Sequence, residues 1–239
     1  MFSINGRLRG SVIALACALG FAGTAAAQTI VISASGPSAR SYPAGKMLAP
    51  GSRIVLAAGD TLTLLDNRGT RTLHGPVKAS AEATATTANP SFAALVATQN
   101  RRRARTGAIR GASVPPRPSN LWYIDVASEG TVCLPGASPV QLWRPDMEQA
   151  ASLTVTQESG PSGTVSFGIG QNAAAWPANV PIAEGRSYVL SGAGLTRPMH
   201  VRFALLPAQP GDPASTYAAL ATKGCAAQKE LLIGALQTP

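Results

Sequence analysis

Hydrophobic and polar residues alternate with period two along much of the chain, and the clearest case is TLTLL at residues 61–65. On an extended strand this places Leu62 and Leu64 on one face and the threonines on the other. Ile30 and Ile32 head a similar first strand, residues 53–57 (RIVLA) form a second, and Ala58, Gly59 and Asp60 turn the chain. Residues 66–69 (DNRG) suit a type I turn, with Asp66 bonding back to the backbone and Gly69 tolerating a left-handed conformation. The chain then returns over residues 70–74. Equal steps from the turn put Leu73 opposite Leu62 and Arg71 opposite Leu64, and a bulge at Gly69 would relieve the second pairing.

The same period recurs in the C-terminal half. Strands are predicted at residues 120–126, 131–134, 140–143, 151–156, 164–167, 187–190 and 200–206, with turn signals at Gly130, Gly160, Gly163, Gly185, Gly192 and Gly194. Seven short strands in about 85 residues predict an Ig-like β-sandwich. Trp122, Trp143 and Trp176 are assigned to its core, a carbohydrate-stacking platform being the competing role. Beyond residue 212 the period lengthens. Asp212 caps, Pro213 takes the first helical position, and Tyr217, Leu220, Ala221, Gly224, Gln228, Leu231, Leu232 and Ala235 form one helical stripe. A single C-terminal helix closing the sandwich is expected.

Between the halves, residues 78–89 are rich in Ala and Thr. Asn89 and Pro90 then open a short amphipathic helix with Phe92, Leu95, Val96 and Gln99 at helical spacing. It runs into Arg101, Arg102, Arg103 and Arg105, with Arg110 and Arg117 further along and a stiff VPPRP linker at residues 114–118. Cations near a helix C-terminus are mildly favourable, which accounts for one or two arginines better than four.

Composition changes the picture in two ways. Charged residues are only 13% of 239, while Gly and Pro number 24 and 19, the balance of short strands joined by many turns. The first 27 residues place Arg7 and Arg9 before an apolar run ending at Ala25 and Ala27, the form of a cleaved secretory signal with Gln28 as the new terminus. A membrane anchor would need about 20 apolar residues; a lipidated Cys17 is the minor alternative. The expected organisation is signal peptide 1–27, N-terminal β-module 28–89, helix and basic linker 90–118, and sandwich with C-terminal helix 119–239. Cleavage leaves 18 basic against 11 acidic residues, a net +7. It also leaves Cys133 and Cys225 alone in an oxidising compartment, periplasmic or extracellular, where a disulfide is the expected state.

Candidate chemistry is sparse. His74 has only His200 for company in the chain, and the acids nearest it, Asp60 and Asp66, sit at turns that need an Asp. The sequence has no GxSxG, SxxK, HExxH or P-loop. The glycine pairs Gly168/Gly170 and Gly192/Gly194 lack the setting of a dinucleotide fingerprint. Asp146 and Glu148 are weak candidates for glycoside chemistry. No cofactor and no metal site is predicted. For the arginine run three roles compete: a solvated linker, a contact for anionic lipid or lipopolysaccharide or an acidic partner, and a nucleic-acid patch. Export and the lack of interleaved aromatics set nucleic acid aside. The binding residues singled out are Arg101, Arg102, Arg103 and Arg105.

The run at residues 51–76, with its Gly-Asp turn, alternating strand and GTRTLHGP, resembles small secreted alphaproteobacterial proteins related to FecR-like domains. SGPSARSYP at 35–43, RRRARTGAIRG at 101–111 and LWRPD at 142–146 extend the resemblance over most of the mature chain. It implies a short β-rich module joined to a sandwich-like half, and a non-enzymatic periplasmic module of the signalling or sensing type whose partner is a membrane sensor or another envelope protein. Unlike FecR proper, the sequence shows no cytoplasmic anti-sigma segment and no internal membrane span, so direct sigma-factor control does not carry across. The alternative function is a carbohydrate-binding or envelope-processing protein using Trp and carboxylate side chains.

Overall fold

The computed structural model describes residues 29–66, 69–81, 90–97, 116–136 and 139–237. Residues 1–27, expected to be a signal segment, Asn67 and Arg68 of the expected turn, Gln99, and Arg101, Arg102, Arg103 and Arg105 lie outside them.

The alternating stretches form the strands their period predicts. β1 (Thr29–Ser35), β2 (Met47–Leu48), β3 (Ser52–Leu56), β4 (Thr61–Asp66), β5 (Gly69–His74) and β6 (Val77–Ala81) make a sheet in the order β2-β1-β4-β5 and a β3-β6 ribbon. The β4/β5 register places Leu62 opposite Leu73 and Leu64 opposite Arg71, with Asp66 facing Gly69. No bulge at Gly69 corrects that pairing. Instead Arg71 stays half-exposed and extends to the Asp66 carboxylate (3.7 Å) and the Ser80 carbonyl (3.3 Å), which keeps its charge out of the apolar layer. β6 falls where sequence alone gives only an Ala/Thr-rich connection; it pairs with β3 over five residues, from Ser52 with Ala81 to Leu56 with Val77.

Val31, Ile54, Leu56, Leu62 and Leu64 fill the space between sheet and ribbon. The opposite face of the sheet is also covered: Ile30 and Leu65 are fully buried in a second cluster, and Thr63 is only 8% exposed. The threonine face of β4 is therefore an interior face.

Downstream come α1 (Pro90–Val96), β7 (Ile124–Asp125), β8 (Gly130–Leu134), β9 (Gln141–Trp143), β10 (Ala151–Gln157), β11 (Ser162–Phe167), β12 (Ala173–Ala175), β13 (Ser187–Gly192) and β14 (Met199–Leu205). They form a five-stranded sheet, β11-β10-β13-β14-β8, and a three-stranded one, β12-β9-β7, so the fold is mainly β and the C-terminal half a sandwich. Two pairs, β8/β14 and β7/β9, are parallel. Trp176 packs edge-on against Tyr188 and Phe203 at the centre of the core, with ring centroids 5.4 and 5.3 Å away.

Two expectations need correction. The strand foreseen at 120–126 shrinks to Ile124–Asp125 because Asn120 Oδ1 accepts the Trp122 N–H (2.8 Å) and closes a turn in which Leu121 and Trp122 are buried. The single C-terminal helix is two, α2 (Pro213–Lys223) and α3 (Ala226–Gln237). Gly224 takes the left-handed conformation (φ 75°), and the Cys225 N–H turns back to the Leu220 carbonyl (2.9 Å), ending α2 in a glycine cap. The predicted start of α2 stands: Asp212 accepts the Ser215 N–H at 2.9 Å.

That turn delivers Cys225 to Cys133 of β8, and the two form a disulfide. α1, α2 and α3 then cover the joint between the halves in one cluster that runs from Ile30 and Leu65 through Trp122 and Tyr217 to Leu232.

Candidate functional site

The last carbonyls of a helix have no partner within it, and those of α1 are satisfied from a distant stretch of chain. Leu95 O accepts the Leu121 N–H (2.9 Å), Val96 O accepts from Gln209 Nε2 (3.1 Å) and Ala97 O accepts from Asn120 Nδ2 (2.8 Å). Asn120 is 3% exposed. Residues 97 and 120, which flank the stretch containing Arg101, Arg102, Arg103 and Arg105 in sequence, are thereby held side by side.

Arg117 is exposed, lies against Gly234 of α3 and lines a recess of about 180 Å³. A Cβ at Gly234 would come within 2.6 Å of Arg117 Nη1, the far end of a flexible side chain that crosses α3 there. Asp125, Glu129 and Glu230 line the recess. Asp125 accepts from Ala127 N (3.0 Å) and Ser128 Oγ (3.1 Å), yet partial burial pushes its carboxyl above the usual range. Glu129 goes the other way: Arg197 grips both its oxygens at 2.7 and 2.9 Å and holds its pKa down. The recess thus keeps one carboxylate paired and one tied into its own turn.

His74 ends β5 in an exposed position, its Nδ1 3.4 Å from Thr61 Oγ1. The two acids near it in sequence hold turns and ion pairs: Asp60 accepts from Ser38 N (2.9 Å) and from Ala57 N (2.5 Å), and Asp66 faces Arg71. His200, on β14, is exposed as well. Among the described residues no three His, Cys, Asp or Glu side chains are grouped to hold a metal ion. Asp146 and Glu148 are exposed on the β9–β10 loop, where Asp146 Oδ1 accepts the Glu148 N–H (2.8 Å). Trp143 and Trp176 are interior residues, 3% and 9% exposed.

Three polar residues that organise these features escape a reading by motif. Asn120 looks like an ordinary turn residue. Arg144, 2% exposed, stacks on Phe167 (5.0 Å) and donates to the carbonyls of Gln149 (2.6 Å), Gly168 (3.1 Å) and Gln171 (3.1 Å), joining two loops. Gln228 is 6% exposed; its amide takes the Cys133 N–H (2.7 Å) and donates to Cys133 O (2.9 Å) and Leu121 O (2.8 Å). Its position on the apolar stripe of the C-terminal helical pattern is the one signal that marked it.

No family model matches the chain, and no curated protein matches it. Among solved structures it is similar to the crystal structure of Lac15 from a marine microbial metagenome, at 13% identity and a TM-score of 0.15. That match covers 74% of this chain and spans half of the other, 50%. A likeness at that score carries no conclusion about fold or activity. Among the described residues no helix is long and apolar enough to cross a membrane.

Proposed function

We propose that the protein is a non-enzymatic binding or sensory module of the bacterial envelope, exported by loss of residues 1–27 and acting through the arginines between α1 and Pro116. The observation that carries this reading is that the residues flanking the arginine stretch are bonded to each other: the carbonyls of Leu95, Val96 and Ala97 accept from Leu121, Gln209 and Asn120. Arg101, Arg102, Arg103 and Arg105 fall within five residues of sequence, so they can meet one anionic target together. Guanidinium forks bind phosphate and carboxylate groups in a directed way. The target is an anionic envelope component or the acidic face of a membrane sensor, and the resemblance to FecR-like modules favours the sensor. Export is supported by the basic and apolar leader and by the disulfide, a bond of oxidising compartments.

The test replaces Arg101, Arg102, Arg103 and Arg105 by Gln, and His74 by Ala separately, and measures retention on isolated membranes at low and moderate salt. The arginine variant loses retention, and wild-type retention falls as salt rises, because exposed charges are screened beyond about 8 Å at physiological ionic strength. Loss with His74→Ala and not with the arginine changes makes the β4/β5 hairpin the site instead.

A further inference from the structure

Four large apolar side chains are exposed among the described residues: Met47 (49%), Val55 (47%), Met147 (40%) and Ile169 (78%). Single exposed apolar residues are ordinary on a protein surface. These four, however, fall into two pairs of opposite electrostatic setting.

Met147 and Ile169 stand on two loops of the sandwich, residues 144–149 and 168–171. The Gly170 N–H donates to Met147 O (2.8 Å), and the buried Arg144 donates to carbonyls of both loops, Gln149 in the first and Gly168 and Gln171 in the second. Ile169 sits in a turn closed twice, by the Gln171 N–H on Gly168 O (3.1 Å) and by the Gly168 N–H on Gln171 Oε1 (2.9 Å). The tip is thus shaped before a partner arrives, and little ordering entropy is lost on docking it. The exposed charges of these two loops are Asp146 and Glu148, both acidic.

Val55 belongs to the outer face of the β3/β6 ribbon. Ile54 and Leu56 are buried, so Arg53 and Val55 point outward between them, and the register sets Lys78 opposite Val55. Tyr42 Oη fastens the free edge of β3 at this point, accepting the Val55 N–H (2.9 Å) and donating to the Val55 carbonyl (3.3 Å), and Lys46 Nζ lies 5.6 Å over the Tyr42 ring. Met47 follows Lys46 at the start of β2. Lys46, Arg53 and Lys78 are exposed and form no ion pair among the described residues, while Asp60 and Asp66 of the same module are buried.

From these two surfaces we infer that the acidic tip of one copy docks on the basic ribbon face of a second copy of this chain. Ile169 and Met147 leave water against Val55 and Met47, and Asp146 and Glu148 meet Arg53, Lys78 and Lys46. Tip repels tip and face repels face, so the contact is head to tail. The same acids disfavour an anionic lipid surface as the target of the tip. Each docked copy keeps one tip or one face unused, and assembly continues past the dimer. The contact is separate from the arginine stretch and does not depend on it.

Sedimentation velocity and light scattering of the mature chain over a range of concentrations test this. The average mass rises past that of a dimer with an affinity of about 10 μM to 1 mM, as suits a contact below the standard interface size. Moderate salt weakens it about tenfold. Ile169→Ser and Val55→Ser, both at exposed positions, each weaken association about tenfold or more. Mixed in equal amounts, these two variants recover one intact contact per pair and stop at a dimer, which only a head-to-tail joint produces. A monomer at every concentration, a mixture that stays monomeric, or wild type that binds phosphatidylglycerol vesicles through Ile169 in place of self-association overturns the inference. So does association that survives both changes but is lost when Arg101, Arg102, Arg103 and Arg105 are replaced by Gln.

Discussion

The two clusters that hold the C-terminal half are built on opposite plans. The sandwich core takes every buried member from between Ile124 and Phe203, mostly on strands β7 to β14, and closes on itself around Trp176, Tyr188 and Phe203. The junction cluster draws on both chain ends, from Ile30 to Leu236, and on α1, the Leu121–Trp122 turn, Cys133, α2 and α3. The first is built around the hairpins β10/β11 and β13/β14, with β8 joining β14 from far back in the sequence, while the second gathers segments from Ile30 to Leu236 and forms only after the chain has returned on itself many times. Among the described residues only the second carries a covalent tie, and its amide clasp, Gln228, joins residues 95 and 107 apart in sequence, whereas Arg144 of the sandwich joins loops no more than 27 apart. Distant segments that bury one another need longer-range fastenings than local strands do.

The tie carries the largest expected effect. Cys133 and Cys225 are 92 residues apart, and closing a loop of that length restricts the unfolded chain by about 4–5 kcal/mol, native disulfides costing about 2–5 kcal/mol when removed. Cys133→Ser combined with Cys225→Ser is expected to lose about 3–5 kcal/mol in urea denaturation. Amide exchange should rise first in α2, α3, β1 and β4, while β10 and β13 keep their protection. Equal loss everywhere would merge the two clusters into one cooperative unit and end the contrast.

The clasp comes next. β8 is an edge strand, bonded to β14 on one side only, and Gln228 satisfies Cys133 on the other. Gln228→Leu keeps the volume and strands the Cys133 N–H and C=O and the Leu121 carbonyl. A cost of about 2–4 kcal/mol is expected, since each buried orphan costs about 1–3 kcal/mol with partial relief by water. Guanidinium or urea midpoints measure it, and a loss below that of an ordinary surface change would make the clasp incidental.

The same contrast explains what was legible in the sequence. Period-two alternation marks TLTLL at 61–65 and the strands of the sandwich, because each presents an apolar row to its own neighbours. It cannot say that Thr63 and Leu65 are covered, since the cover comes from helices more than a hundred residues away. The two cysteines and the Asp212 cap were readable, being chemistry of fixed spacing or kind. The break at Gly224 was not, because the stripe continues across it and only the path to Cys133 requires the turn. Of the candidate site, the arginine run is legible in the sequence and lies outside the described residues. The bond from Asn120 to Ala97 became visible only with the structure, since it joins residues 23 apart through one amide.

The smallest effects lie at the rim of the acidic recess, where Glu129 and Asp125 titrate in opposite directions. Glu129 is held below its ordinary pKa first by its hydrogen bonds to Arg197, with a weaker attraction from His200. A depressed carboxylate contributes stability above its unfolded pKa and loses it as pH falls through the folded one. Asp125 is raised, first by burial against the opposing bonds from Ala127 and Ser128. Its contribution is full below the unfolded pKa and is lost as pH rises through the raised folded value. On going from neutral pH into the acid range, wild type should therefore lose more stability than Glu129→Gln and less than Asp125→Asn. Both differences are small, since Glu129 is solvent-screened and Asp125 is only partly buried. Urea midpoints of the three proteins across the acid range check the order. If Asp125→Asn and Glu129→Gln shift the acid limb in the same direction, the two carboxylates are coupled through the recess and do not titrate as separate groups.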